Sequence, residues 1–423
     1  MTDADDFYAG SSLSEVVSKL PGPTVEPTQG DARALPYPDS SVDLIVTSPP
    51  YFAKRTYGHD DEIGHESTPL EFVASIMKCL DDWQRVLRPT GSIFLNIGDS
   101  YYGNSLAGIP GRIEAAAVDN GWLVRNRIIW AKDDGMPEAV KNRLASRHEY
   151  VLHLTRSMDY YYDLFGYSSA YWASVAAAED RLALEATDVK NSRRRKTDQK
   201  LAADRVRMDE LVQDSLFNQT GEVKAIEEDS IEAVKTANPG DVWWLLMDRN
   251  MGRHLAPYPR ELVSRAILMA CPEVICTECQ RPWTREVART SKLDPSRPQA
   301  KRAMALAAQH KLTPRHIAAI QATGVSDAGK ALKTQTGTGR NAQEVQKLAA
   351  EAKAALGGYF REFTFALQTT AGWRHCGHDA QKMTRGTVLD PFVGTGTTLR
   401  VARELGRHAL GVDLVTDHVL LEE

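Results

Sequence analysis

The stretch from Gly386 to Leu414, GTVLDPFVGTGTTLRVARELGRHALGVDL, constrains the fold more than any other. A β-branched run ends at Asp390, a turn carrying Gly394 and Gly396 follows, then a helical stretch, then a second apolar run that ends at Asp413. A strand, a helix and a strand in that order return as a parallel pair, and parallel pairs are buried on both faces. The same texture recurs upstream. VDLIVTS reads as a strand, PLEFVASIMKCLDDWQRVLRP as an amphipathic helix stopped by Pro89, and GSIFLNIG as a strand. GRIEAAAVDNGW reads as a helix, and LVRNRIIWAK and HEYVLHLTRS as two further strands. Strands alternating with helices predict an α/β fold with a mostly parallel sheet.

The alternation is interrupted twice. Residues 1–27 read as an irregular N-terminal extension with three prolines, and 28–166 as the first part of the α/β domain. Residues 167–235 turn helical in period and rich in Ala, Asp, Arg and Lys, and include KNSRRRK. The α/β texture returns over 236–270. A second insertion, helical and basic in its middle, spans 271–382, and 383–423 completes the domain.

Composition excludes several classes. At 423 residues, 42% hydrophobic and 25% charged, the chain has ample material for a core. No apolar run is long enough for a membrane span, and the acidic start MTDADDFYAG is no secretory signal. Five cysteines in so long a chain make no disulfide scaffold and fit a reduced, cytoplasmic protein. The net charge of -5 lends no support to nucleic-acid binding, which must then rest on local basic stretches.

Gly394 and Gly396 permit positive φ and let the backbone approach a ligand closely. Asp413, at the tip of the second strand, is placed to bind ribose hydroxyls. Gly396 is followed by Thr397 rather than lysine, so the turn is not a P-loop, and Leu399 stands where a dinucleotide fingerprint needs its third glycine. A loop that cradles no phosphate fits S-adenosylmethionine; a glycine turn without a ligand is the plain alternative.

The run VDLIV stops abruptly at Thr47-Ser48-Pro49-Pro50-Tyr51-Phe52. Paired prolines fix φ and remove two backbone donors, leaving carbonyls that project as acceptors. Together, Ser48 to Tyr51 and DPFVGTGT (Asp390 to Thr397) resemble the amino-group DNA methyltransferases, which methylate the exocyclic nitrogen of cytosine or adenine. With the Ser-Pro-Pro-Tyr motif ahead of the glycine motif, the order is similar to the circularly permuted β class. The resemblance covers roughly 28–165, 236–270 and 384–414.

The resemblance implies a Rossmann-like, S-adenosylmethionine-dependent methyltransferase fold, circularly permuted, with helical insertions. It implies that Ser48, Pro49, Pro50 and Tyr51 hold and stack a flipped base. It implies that Asp31, Asp390, Pro391, Phe392, Gly394, Gly396, Thr397 and Asp413 bind the cofactor, with Asp31 on the adenine. Serine at the first motif position favours N4 of cytosine, with N6 of adenine the alternative. An RNA or protein methyltransferase and a DNA-binding protein without turnover are more remote readings. The bland roles stay open too: a turn aspartate for Asp31, helix-cap carboxylates for Asp390 and Asp413, and core tryptophans at Trp243 and Trp244.

Cys276 and Cys279 form a CxxC knuckle, and HCGH (His375 to His378) supplies a second half. Cys276, Cys279, Cys376 and His378 would make a closed Cys3His structural zinc set in a zinc ribbon, with His375 as a possible replacement for His378. Lys190, Arg193, Arg194, Arg195 and Arg340 are candidate DNA contacts, although a charge run is commonly a solvated face. The expected partner is double-stranded DNA, with a cognate restriction endonuclease acting separately. The chain is expected to be a monomer or homodimer and to use no membrane.

Overall fold

The structure is a computed structural model that describes residues 12–54, 58–59, 61–132, 140–170, 238, 240–245, 258–294, 297–324, 343–417 and 419. The described residues fall into two compact units. The first is drawn from Met1–Ala225, Asn238–Thr284 and Trp373–Glu423, the second from Arg285–Gly372. The expected basic insertion at 167–235 lies almost wholly outside the described residues, and with it Lys190, Arg193, Arg194 and Arg195; Arg340 lies outside them as well.

In chain order the strands are β1 (Val25–Gln29), β2 (Val42–Thr47), β3 (Leu87–Ile97), β4 (Tyr101–Tyr102), β5 (Ser105–Leu106), β6 (Leu123–Ala131) and β7 (His148–Thr155). There follow β8 (Val242–Trp244), β9 (Val274–Cys276), β10 (Thr284–Arg289), β11 (Gln368–Arg374), β12 (Met383–Arg385), β13 (Thr387–Asp390) and β14 (His408–Asp413). Eight of them form one sheet in the order β1-β14-β13-β2-β3-β7-β6-β8. Five neighbouring pairs are parallel, and β7 runs antiparallel to both β3 and β6. The C-terminal strand–helix–strand unit is thus inserted between β1 and β2, two strands that are neighbours in sequence.

The sheet is covered on both faces because its strands alternate. In β2, Ile45 enters one apolar cluster while Leu44 and Val46 enter the other; in β13, Leu389 and Val388 divide in the same way. The Pro69–Val86 helix covers the first face with Phe72, Val73, Ile76, Cys79, Leu80 and Trp83, at helical spacing. A reciprocal capping box starts it: Thr68 Oγ1 accepts from Glu71 N (3.2 Å) and Glu71 Oε2 from Thr68 N (3.1 Å). The helices Arg260–Ala270 and Thr397–Glu404 cover the second face with Leu262, Ala266, Ile267, Leu399 and Val401.

Two expectations are corrected here. Residues 1–27 are not irregular throughout. Leu13–Lys19 is a helix, and Val25–Gln29 is an edge strand that, among the described residues, pairs with β14 alone. Pro27 hides the strand in the sequence, and an edge tolerates it because one side of the backbone needs no donor. Pro89 does not directly stop the preceding helix. The helix ends at Val86 and β3 begins at Leu87, so the stop comes ahead of Arg88, the residue that Pro89 biases toward extended backbone, and Pro89 lies within β3.

The segment 271–382 is divided. Its two ends belong to the first unit, whereas Arg285–Gly372 makes a unit of its own with helices Pro298–Gln309, Pro314–Thr323, Gln343–Leu356 and Phe360–Thr364. Ala303, Ile317, Ile320, Ala352, Leu356 and Phe363 form its core. No helix among the described residues is long and apolar enough to cross a membrane.

Candidate active site

The parallel strands β1, β14, β13, β2 and β3 all finish on one edge of the sheet, where open α/β sheets bind ligands. The same edge carries the end of β6 and, because β7 is antiparallel, its start. A cavity of about 740 Å3 opens there. It is lined by Asp31, by Ser48, Pro49, Pro50 and Tyr51, by Asp390, Pro391, Phe392, Gly394 and Thr397, and by Asp413. Asp31 and Asp413, 382 positions apart in sequence, therefore meet in one space.

At the glycine-motif end, Gly394 (φ 49°) and Gly396 (φ 83°) occupy left-handed backbone, and Gly396 caps the Thr397–Glu404 helix. Gly394 N donates to Asp413 Oδ2 (2.9 Å), which fixes the turn to the tip of β14. Phe392 meets Trp83 edge-on at 6.1 Å between ring centroids.

Asp390 is almost wholly buried. Its Oδ1 accepts from Thr47 Oγ1 (2.6 Å) and Phe392 N (3.1 Å), and its Oδ2 from Thr398 Oγ1 (2.6 Å) and the Tyr258 hydroxyl (2.9 Å). Burial pushes its carboxyl up to about 6 against the pull of those donors. At Asp31, burial acts upward, but the Arg33 side chain and backbone N–H outweigh it and hold the carboxyl below the ordinary value. Arg33 grips Asp31 through Nε (2.9 Å) and Nη2 (2.6 Å), and donates from Nη2 to the Asp61 carbonyl (3.0 Å).

At the other end, Tyr51 is held by groups the sequence reading did not single out. Its hydroxyl donates to Glu149 Oε2. Asn96 Nδ2 donates to the Tyr51 hydroxyl (2.8 Å), to Glu149 Oε2 (3.0 Å) and to Ser48 Oγ (3.3 Å). Lys132 pairs with Glu149 Oε1 and lies 4.5 Å above the Trp130 ring. Burial first, and then the adjacent Glu149 carboxylate, hold the Tyr51 phenol well above its ordinary range. The ring lies against Gly98, where a Cβ would come within 2.6 Å of Tyr51 Cε2.

Asn96 and Gly98 lie together in GSIFLNIG, but Lys132, Glu149 and Tyr258 come from distant parts of the chain, so no one contiguous motif contains all five. The one signal for Glu149 is a carboxylate near the start of the strand run HEYVLHLT. Trp243 is buried in the second-face cluster and Trp244 is exposed.

Away from the cavity, Cys276, Cys279, Cys376 and His378 converge, with their ligand atoms all within 4.8 Å of one another. Cys276 Sγ lies 3.3 Å from His378 Nδ1. The antiparallel pair β9–β12 frames the cluster, and Gly377 (φ 76°) turns the second knuckle. His375 is engaged elsewhere: its ring stacks on Trp283 at 4.3 Å and its Nδ1 accepts from Gly377 N (3.1 Å). Three sulfurs and one imidazole nitrogen at this spacing fit a tetrahedral zinc ion. Cys271 is a buried core residue.

A family model described as DNA methylase matches residues 42–274 and 380–421. Among curated proteins, the type II methyltransferase M.Cfr9I of Citrobacter freundii is 35% identical over 166 residues, 32% of this chain and 55% of that protein. M.SfiI of Streptomyces fimbriatus is 38% identical over 144 residues, 30% of this chain and 34% of that protein. The chain spans about half the length, or less, of these curated relatives. Among solved structures, the cytosine-N4-specific PvuII DNA methyltransferase aligns over 95% of this chain and 87% of its own, at 12% identity and a TM-score of 0.44.

Proposed function

The chain belongs to the DNA methylase family, and from that premise we propose that it transfers a methyl group from S-adenosylmethionine to the exocyclic amino group of a base in duplex DNA, N4 of cytosine first. The observation that carries this reading is the meeting of Ser48–Tyr51 with the Asp390–Thr397 turn and Asp413 in one cavity of about 740 Å3. That volume lies within the range of small-molecule sites, and a flipped nucleotide is read in such a pocket.

S-adenosylmethionine supplies an electrophilic methyl on sulfur. Asp413 would hold its ribose and Asp31 its adenine end, and the Asp390–Thr397 turn would offer it backbone contacts. Ser48 Oγ and the Pro49 carbonyl accept hydrogen bonds from the target amine, which is conjugated into the ring and needs its lone pair turned toward the methyl. Pro50 stiffens the loop and Tyr51 stacks on the base. Orientation supplies most of the acceleration, because the amine becomes acidic only once it has attacked.

The insertion of β13, its helix and β14 between β1 and β2 supports a circularly permuted methyltransferase fold. The Cys3His cluster supports a structural zinc ribbon held by Cys276, Cys279, Cys376 and His378. Lys190, Arg193, Arg194, Arg195 and Arg340 are proposed DNA contacts on sequence grounds alone, and a separately acting cognate endonuclease is the expected partner.

Incubation with labelled S-adenosylmethionine and duplex DNA, followed by nucleoside mass spectrometry, tests the function. N4-methylcytosine is the expected product. N6-methyladenine would reassign the base, label on RNA but not duplex DNA would reassign the substrate, and no incorporation would refute the reading.

A further inference from the structure

We propose that Glu149 is a positioning residue for the methyl transfer, acting through the Tyr51 ring; the inference rests on the functional reading above and adds a residue to it. Four observations converge. The Tyr51 hydroxyl donates to Glu149 Oε2. Asn96 Nδ2 bridges the same carboxylate oxygen (3.0 Å) and the same phenol (2.8 Å). Lys132 holds the other carboxylate oxygen, so Glu149 is fixed at both ends of its head group. The Tyr51 ring is also pressed against Gly98, where a side chain would overlap it.

A tyrosine that only fills space needs one partner for its hydroxyl; Tyr51 has both Asn96 and Glu149, and Glu149 is itself held by Lys132. A tyrosine that must present its ring at a set distance from a methyl donor needs its far end anchored, because a stacking ring alone can tilt about χ1 and χ2. The anchor is charged, and hydrogen bonds to charged groups are the stronger kind. Glu149 lies at the start of β7 and Lys132 just past the end of β6, both on the sheet edge that carries Ser48. The sheet therefore sets where the Tyr51 hydroxyl sits, through partners that lie outside the Ser48–Tyr51 loop.

The test pairs activity with a signal that does not depend on it. Glu149→Ala is expected to lower kcat about tenfold to a hundredfold, as the loss of a charged hydrogen bond requires. KM for the cofactor should stay within about twofold, since the Asp413 end is untouched. Glu149→Gln, which keeps an acceptor, should recover part of the loss. In a Tyr51→Phe background, Glu149→Ala should cost less than about twofold more, because both changes remove one interaction.

In protein carrying 13C-labelled tyrosine rings, the Tyr51 signal, assigned by its absence from Tyr51→Phe, should shift in Glu149→Ala. Losses that multiply in the double variant, or a Tyr51 signal that does not move, would overturn the proposal. If the unmodified protein transfers no methyl at all, the functional reading fails, while the ring signal still decides the link between Glu149 and Tyr51.

Discussion

Gly98→Ala tests the same ring from its opposite side. A Cβ built at Gly98 would lie 2.6 Å from Tyr51 Cε2, 2.9 Å from Cδ2 and 3.4 Å from Cζ. Carbon atoms pack at about 3.5–4.0 Å, so the ring must retreat by roughly 1 Å. Its hydroxyl is anchored, however, by Asn96 at 2.8 Å and by Glu149. A retreat of that size takes the Asn96 contact beyond hydrogen-bond range. Losing bonds to a charged network costs about 1.5–3 kcal/mol, which corresponds to about tenfold to a hundredfold in rate if the ring acts in the transition state. Cofactor affinity should hardly change, because Gly394, Asp390 and Asp413 keep their bonds. Gly111→Ala is the control, since a Cβ there meets nothing within 4 Å. Steady-state methyl transfer and cofactor titration by calorimetry read the two effects separately. A Gly98→Ala protein that folds, binds cofactor and turns over within about twofold of the unmodified chain would refute the reasoning.

The buried Asp390 gives a pH signature. Its folded-state value, raised from 3.8 to about 6, means the fold favours the protonated acid, so this stabilising contribution is full below about pH 4 and lost as pH rises through 6. The loss is at most about 3 kcal/mol, and the urea midpoint of Asp390→Asn should fall less across that window than that of the parent chain; equal slopes would count against the assignment. Elemental analysis should find one zinc per chain, and a chelator should lower the melting temperature of the parent but not of a folded Cys276→Ser/Cys279→Ser variant. Less than half an equivalent of zinc in folded protein would end the metal assignment. Asp413→Ala should weaken cofactor binding about tenfold or more by removing both a ligand group and the acceptor for Gly394 N, and unchanged binding in calorimetry would contradict its role. Gly386→Ala should destabilise the fold by about 1–3 kcal/mol in urea unfolding, because its Cβ would fall 2.1 Å from the Pro272 carbonyl oxygen, a backbone atom; a shift under about 1 kcal/mol would show that this contact relaxes.

Which parts of this molecule can be read from its sequence follows from where the information sits. β2, β3, β6 and β7 are buried on one or both faces, so their apolar runs are conspicuous. β1 is an edge strand of half-exposed residues with a proline inside it, and its pairing with β14 is the only thing that makes it a strand. The two motif loops are contiguous, and each carries its chemistry within eight residues. The Glu149–Lys132–Asn96 network is assembled from β7, the end of β6 and β3, which the sheet order alone brings together. Hydrogen-bond partners that lie 45, 53 and 98 positions apart leave no local pattern.

The sheet also explains why the two motifs can be far apart in sequence and still act at one distance. Thr47, the residue before Ser48, donates to Asp390, the first residue of the glycine motif. Behind that bond, β2 and β13 are parallel neighbours, with Ile45 beside Leu389 and Leu44 beside Val388. Transfer between a bound methyl and a bound amine tolerates little error in separation, and a misplacement of about 1 Å can cost a hundredfold. A buried carboxylate that accepts four hydrogen bonds is a poor candidate for a mobile ligand group, because each donor fixes one direction of its two oxygens. Asp390 is better understood as the joint that sets the spacing. On this reading Asp413 and Asp31 meet the cofactor, the Ser48–Tyr51 loop meets the base, and Asp390 keeps the distance between them constant.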